Sequence, residues 1–199
     1  MITIRPVQLD DIDLIEDRLL YDEITDAETL ALVGGDEKLA RMYLAKTMKV
    51  AHLPVAEWSC VVAVEGDKLV GLLDYSTESM SRVIRLALLH DVVGWKQFLR
   101  ALRVMYGRKR VNTPVPDDAF FLANLRVDEA QRGRGIGTAL MEWAEDKARE
   151  LGARHMALQT LTSNRARRLY ERLGYRVTQS PTHRLYLHGE GRCLMVKAL

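Results

Sequence analysis

The feature that most constrains this chain is a strand-to-helix turn, Leu125-Arg126-Val127 followed five residues later by Arg132-Gly133-Arg134-Gly135-Ile136-Gly137. Ala119 to Val127 is apolar nearly throughout, as suits a strand in the interior of a sheet. After the turn, Leu140, Ala144, Ala148 and Leu151 recur on one helical face from about Ile136, and Gly152 ends the run. A helix start leaves backbone N–H groups unpaired and carries a partial positive charge. Glycines 133, 135 and 137 remove side chains that would block an anion from those donors. Arg132 and Arg134 add formal positive charge. A turn of this kind is a seat for phosphate or pyrophosphate.

A glycine-rich turn alone is weak evidence, so competing patterns matter. The phosphate loop of nucleotide hydrolases requires Lys followed by Ser or Thr, and neither is present here. The dinucleotide fingerprint Gly-x-Gly-x-x-Gly fails at Thr138 when counted from Gly133, and at Leu140 when counted from Gly135.

Around this turn the chain alternates. Ile2 to Arg5 reads as a strand ended by Pro6, and Asp10 or Asp11 caps a helix through Ile12, Ile15 and Leu19. Gly34-Gly35 breaks the chain before Asp36 caps a second helix through Leu39, Met42, Tyr43 and Met48. Trp58–Val64 and Leu69–Tyr75 flank Gly66-Asp67 as a β-hairpin. Between about 77 and 116 lie two helical patterns, roughly Met80–His90 and Trp95–Tyr106, closed by Pro114 and Pro116. Beyond the glycine turn come a strand at His155–Leu161, a helix at Arg165–Leu173, and strands at Tyr175–Thr178 and Cys193–Val196. A hairpin followed by strand–helix–strand–helix predicts a mixed α/β (α+β) sheet covered by helices.

The chain has 199 residues, enough for one domain with its own core. A net charge of +2 gives no bulk-charge reason to expect nucleic acid. No window approaches about eighteen consecutive apolar residues, so no membrane partner is expected. The start lacks a signal-peptide pattern, and Cys60 and Cys193 have no metal-type spacing. A reduced, cytoplasmic setting is the default expectation. His90, His155, His183 and His188 show no metal or nucleophile spacing.

The pattern that fits the turn is Arg/Gln-x-x-Gly-x-Gly/Ala, met by Arg132, Gly135 and Gly137. Here the sequence resembles the GNAT superfamily of N-acetyltransferases, whose acetyl-CoA loop follows a strand ending Leu-x-Val. Ala166-Arg167-Arg168-Leu169-Tyr170-Glu171-Arg172-Leu173-Gly174-Tyr175 is similar to the family's Ala-x-x-Leu-Tyr-x-x-x-Gly-Phe/Tyr signature. Ile4-Arg5-Pro6 before Asp10-Asp11 also fits. The resemblance spans the chain except about 77–116. It implies a single acetyltransferase domain with a GNAT-like sheet of six or seven strands. The 77–116 segment is then a two-helix insertion between the third and fourth strands, on the acceptor side.

The resemblance also implies roles. Leu125, Arg126 and Val127 would bind the pantetheine arm of acetyl-CoA through main-chain groups, beside a splayed strand at Ala157–Leu161. Their plainer reading is core packing, and both hold if side chains face one way and the edge another. Backbone N–H groups from Gly133 to Thr138 (Gly133, Arg134, Gly135, Ile136, Gly137 and Thr138) would hold the pyrophosphate, with Arg132 adding charge beside them. Asn164 or Ser163 would bond the CoA arm, with Asn164 ranked first. Tyr170 would protonate the departing thiolate, a task that suits a hydroxyl within reach of developing negative charge; its plainer reading is a packing residue beside Leu169 and Leu173.

The general base is the gap. Gln159 stands where some members carry Glu, and Phe120 to Asn124 offers no carboxylate. A water held by Asn124 or Gln159, or a carboxylate from Asp74 or Glu78, is the remaining candidate, against a plainer reading of both acids as solvated charge. No metal is expected. The second insertion helix carries Lys96, Arg100, Arg103, Arg108, Lys109 and Arg110, with no acid from Val92 to Pro116. That segment is a solvated face, a dimer surface or a contact for an anionic partner. Two other functions stay open: a non-catalytic acyl-CoA sensor, or a nucleic-acid-associated protein using helix 96–110.

Overall fold

In the computed structural model, residues 1–8, 10–11, 15, 27–51, 58–76 and 82–199 are described, except the side chains of 48–51, 58, 76 and 82–86. The expected helix through Ile12 and Leu19, the first turn of the insertion and Glu78 lie outside the described residues.

One sheet organises the molecule. Its strands are β1 (Ile2–Pro6), β2 (Trp58–Glu65), β3 (Lys68–Ser76), β4 (Ala119–Val127), β5 (His155–Leu161), β6 (Arg176–Gln179) and β7 (Arg192–Ala198). They lie in the order β1-β2-β3-β4-β5-β7-β6. Every neighbouring pair is antiparallel except β4–β5, which is parallel. The sheet is thus mixed, with the parallel step at its centre. β2 and β3 form the expected hairpin across Gly66-Asp67, with Gly66 at φ 61°.

The helices are α1 (Ala27–Leu32), α2 (Glu37–Ala51), α3 (Arg82–Val111), α4 (Ile136–Glu150) and α5 (Arg167–Arg172). Asp36 starts α2 as expected, its Oδ1 accepting from the N–H groups of Lys38 at 2.9 Å and Leu39 at 3.1 Å. α3 lies between β3 and β4 and is two helices meeting at Gly94, whose φ of 69° and ψ of 171° break the hydrogen-bond ladder.

Three apolar clusters hold these parts. The largest sits between α4 and one sheet face and joins Ile136, Leu140, Met141 and Ala144 to Val61, Leu73, Phe120 and Met156. The other face buries Val62, Leu69 and Leu72 around Ile15. A third cluster is purely helical: Leu32, Val33, Ala40, Tyr43 and Leu44 of α1 and α2, with Leu89, Val92 and Ala101 of α3. The 82–111 segment therefore packs on the first helices rather than on the main core. Its C-terminal end approaches the 185–186 backbone so closely that a Cβ on Gly107 would lie 2.6 Å from the Leu185 carbonyl. Helix α3 runs on past Tyr106 because Val111 buries completely and Arg108 finds a carboxylate partner in Glu28.

Candidate active site

The site forms where the sheet comes apart. β4 pairs with β5 only from Ala119↔His155 to Leu122↔Leu158. On its other edge β4 carries one extra residue, Ala123, opposite the step between Asp74 and Tyr75 of β3. A bulge bends its strand and increases the local twist. Beyond it, 124–127 stay paired to β3 but have no partner on β5 among the described residues. Their main-chain groups on that edge border a cleft of about 1660 Å³. Leu125 and Val127 meanwhile pack side chains against the main core, so one strand serves packing and the cleft at once.

The glycine turn closes one end. Asp128 accepts from Ala130 N–H at 2.9 Å and starts a 3-10 turn at Glu129–Gln131, which feeds the chain into α4. Gly135 is the N-cap of α4 at φ 82°, and no side chain caps the helix. Open N–H groups of the first turn and the helix dipole therefore face the cleft lining at Ile136, Gly137 and Thr138. A Cβ built on Gly133 or Gly135 meets nothing within 4 Å. The glycines are there for positive φ and for open space, which is what a phosphate needs. Arg126, Arg132, Arg165 and Arg172 line the same cleft. These features fit the pyrophosphate and pantetheine of an acyl-CoA: fixed donors and cations at one end, a free strand edge leading inward.

Most predicted site residues meet in this cleft: Leu125, Arg126, Val127, Arg132, Gly133, Gly135, Ile136, Gly137, Thr138, Asn164 and Tyr170, with Asp74, Asn124 and Gln159. Two side chains are placed elsewhere. Arg134 turns to β2 and forms a bidentate pair with Glu65, both contacts 2.8 Å, so it neutralises a carboxylate instead of facing the cleft. Ser163 is not among the lining residues, and its N–H donates to Glu190 at 3.1 Å. Asn164, ranked ahead of it, does line the cleft. Its Oδ1 accepts from Ala166 N–H at 2.9 Å and its Nδ2 donates to Thr160 Oγ1 at 2.8 Å, which fixes the turn into α5.

Tyr170 sits on α5, 7% exposed, its ring centroid 6.2 Å from that of Tyr175. Burial pushes its pKa up to about 12. The phenol therefore keeps its proton at any physiological pH.

At the other end the groups are carboxylates and their partners. Asp74, 8% exposed, accepts from Asn124 Nδ2 at 2.9 Å across the β3–β4 pair. Cys60 is its neighbour on β2, and burial together with Asp74 pushes that thiol far up, so it stays a neutral SH. Gln159 donates to the Thr113 carbonyl at 2.7 Å and ties β5 to the segment leaving α3. Sequence reasoning missed a further knot. Glu28 of α1 takes Arg108 of α3 at 2.8 Å, Arg192 of β7 at 2.7 Å and the Tyr186 hydroxyl at 2.7 Å. Glu28, Arg108 and Arg192 all line the cleft. No local pattern announces them, since Glu28 and Arg192 are 164 residues apart. Among the described residues, no group of three or more His, Cys, Asp or Glu is arranged to hold a metal.

Residues 35–175, more than half the chain, match the profile of the acetyltransferase (GNAT) family. The chain belongs to that family. Acetyl transfer from acetyl-CoA is the activity of that family. A curated relative, the uncharacterized N-acetyltransferase YdgE of Bacillus subtilis (strain 168), is 34% identical over 64 residues, 32% of this chain and 41% of that protein. The match thus spans about two-fifths of the relative's length. The protein smu.2055 of Streptococcus mutans UA159 superposes with a TM-score of 0.62 at 18% identity, covering 98% of each chain. The PaiA N-acetyltransferase of Thermoplasma acidophilum, solved in complex with coenzyme A, gives 0.58 at 12% identity, over 100% of this chain and 99% of that one. At these identities the two structures establish a shared fold.

Proposed function

We propose that the cleft transfers the acetyl group from acetyl-CoA to a primary amine of a small molecule or protein by direct attack, with Tyr170 as general acid. The observation that carries this reading is the position of Tyr170: a buried phenol kept neutral, lining the same cleft as the phosphate seat and the free edge of β4. The glycine turn and α4 start bind the pyrophosphate, and Leu125, Arg126 and Val127 hold the pantetheine arm by main-chain bonds. The thioester then lies between the split strands. The amine nitrogen attacks the acetyl carbon, the C–S bond breaks, and the thiolate takes the Tyr170 proton. The phenolate recovers a proton from those the nitrogen sheds, so one amide and one thiol result.

Asp74 then binds the incoming ammonium and accepts its proton, a reading supported by its bond from Asn124. Gln159 acts by holding the 113 backbone in place. Residues Arg108, Asn112 and Thr113 of the 82–113 segment line the cleft, which supports reading that segment as an acceptor-side cap on one N-acetyltransferase domain. A thiol-release assay over a panel of amines tests the proposal. Release of CoA with an acceptor supports it; CoA binding without release for any amine makes the chain a sensor instead.

A further inference from the structure

The outward face of the second half of α3 has no role in the cleft. Trp95, Leu99, Leu102 and Tyr106 are 64%, 50%, 38% and 52% exposed. Their spacing of four, three and four residues puts them in one stripe along the helix. The buried face of the same helix is carried by Ala101 and by Phe98, Val104 and Met105, which pack against α1 and α2. The stripe is therefore a second apolar face, opposite the one that holds the helix down. Trp95 is steadied at its base by His90 and Phe98, with centroids 5.8 Å and 6.1 Å away, and Tyr106 by His183 at 6.1 Å.

Cations border this stripe. On a helical projection Lys96, Arg100, Arg103 and Arg110 fall along one flank and Lys109 along the other. Lys96, Arg100, Arg103, Lys109 and Arg110 are all exposed. No acidic residue occurs from Val92 to Pro116 to offset them. Exposed contiguous apolar surface rimmed by charge marks an interaction site. A ridge with Trp and Tyr at its ends, Leu between and cations along its sides has the make-up of a helix lying in a membrane interface: aromatic and aliphatic groups enter the headgroup boundary while Lys and Arg meet anionic lipid. A second copy is the poorer partner. An isologous contact would set Lys96, Arg100, Arg103 and Arg110 against their own counterparts, which repel.

We propose that the Trp95–Tyr106 face of α3 docks the protein on an anionic lipid surface, as a peripheral contact and without spanning. The reading is independent of the acetyl-transfer chemistry, because none of Trp95, Lys96, Leu99, Arg100, Leu102, Arg103 or Tyr106 lines the cleft.

The test is co-sedimentation of the full chain with vesicles of phosphatidylcholine alone and of phosphatidylcholine mixed with phosphatidylglycerol. Binding to the mixed vesicles only, weakening as salt rises, is expected. One cation near an anionic surface corresponds to about a fivefold change in partitioning. Arg100→Gln with Arg103→Gln should then lower partitioning about twenty-five-fold by the same rule. Trp95→Ala with Leu99→Ala should abolish sedimentation while CoA binding and circular dichroism stay unchanged. Failure of the wild type to bind mixed vesicles overturns the proposal. So does equal binding by the alanine pair. A doubled mass in light scattering that Trp95→Asp halves, without vesicle binding, gives the face to a second copy and also overturns it.

Discussion

Tyr170→Phe removes one oxygen from the site and little else. The ring is 7% exposed and packs beside Tyr175, so Phe keeps its shape and most of its contacts. Burial alone raises the Tyr170 pKa, with no hydrogen bond contributing, so loss of the hydroxyl should cost the fold well under about 1 kcal/mol. Catalysis should respond differently. With a pKa of about 12, at pH 8 only about one phenol in ten thousand is ionised, so nearly every molecule carries the proton that the thiolate needs. General acid catalysis contributes about 10²- to 10⁴-fold. Losing the lower figure raises the barrier by about 2.7 kcal/mol. Steady-state thiol release should show kcat down at least about a hundredfold with KM for acetyl-CoA within about twofold. The wild-type rate should also show no loss from tyrosine ionisation as pH rises through 9 to about 10. A Phe variant with unchanged kcat, or one whose whole defect is in KM, refutes the acid role.

Other substitutions probe other parts. Asp74→Asn should lower kcat/KM for amines and shift its pH dependence while leaving CoA affinity intact; an unchanged profile removes Asp74 from the reaction. Glu28→Gln removes the charge that Arg108, Arg192 and the Tyr186 hydroxyl share and should cost about 2–3 kcal/mol in urea unfolding; a change under about 0.5 kcal/mol would show the knot to be structurally idle. Gly107→Ala forces a Cβ to 2.6 Å from the Leu185 backbone and should destabilise by about 1–3 kcal/mol; a melting temperature equal to wild type would mean that the two segments do not touch. Asp11 donates a pH test. Its bond to Arg5, 2.6 Å in length, holds its carboxyl below the ordinary value. A depressed folded pKa stabilises above the unfolded pKa and loses that contribution as pH falls through the folded one. The stability gap between wild type and Asp11→Asn should therefore be full near neutrality and close below about pH 4. A gap that widens in acid contradicts the pairing.

Local signals in the sequence reach far into this fold. Ala119–Val127 and His155–Leu161 are strands with the bounds that apolar runs suggest, and Gly152 ends α4 as expected. Gly66-Asp67 turns the hairpin because positive φ is readable from residue type. The glycine turn is legible for the same reason, and so is the helical character of 82–111. What stays hidden is set by partners distant in sequence. The bulge at Ala123 that releases β4 from β5 has no composition signal, since it arises from register against β3. Arg134 reads as a phosphate ligand until the fold supplies Glu65, 69 residues away. The knot around Glu28 gathers α1, α3 and β7 and cannot be inferred from any one of them. Even the exposed stripe of α3 looks like ordinary core periodicity until the opposite face is found packed.

The proposed reaction depends on the glycine turn as the seat of the pyrophosphate. Titration calorimetry of coenzyme A against wild type and Gly135→Glu tests it directly. The variant puts bulk and a negative charge into space where a Cβ now meets nothing within 4 Å, at the open start of α4. A melting curve run beside it checks that the variant folds despite the 82° φ at that position. A folded Gly135→Glu protein that gives no binding heat, beside a wild type that saturates, is the predicted result; one that binds coenzyme A with wild-type affinity contradicts the assignment of the site.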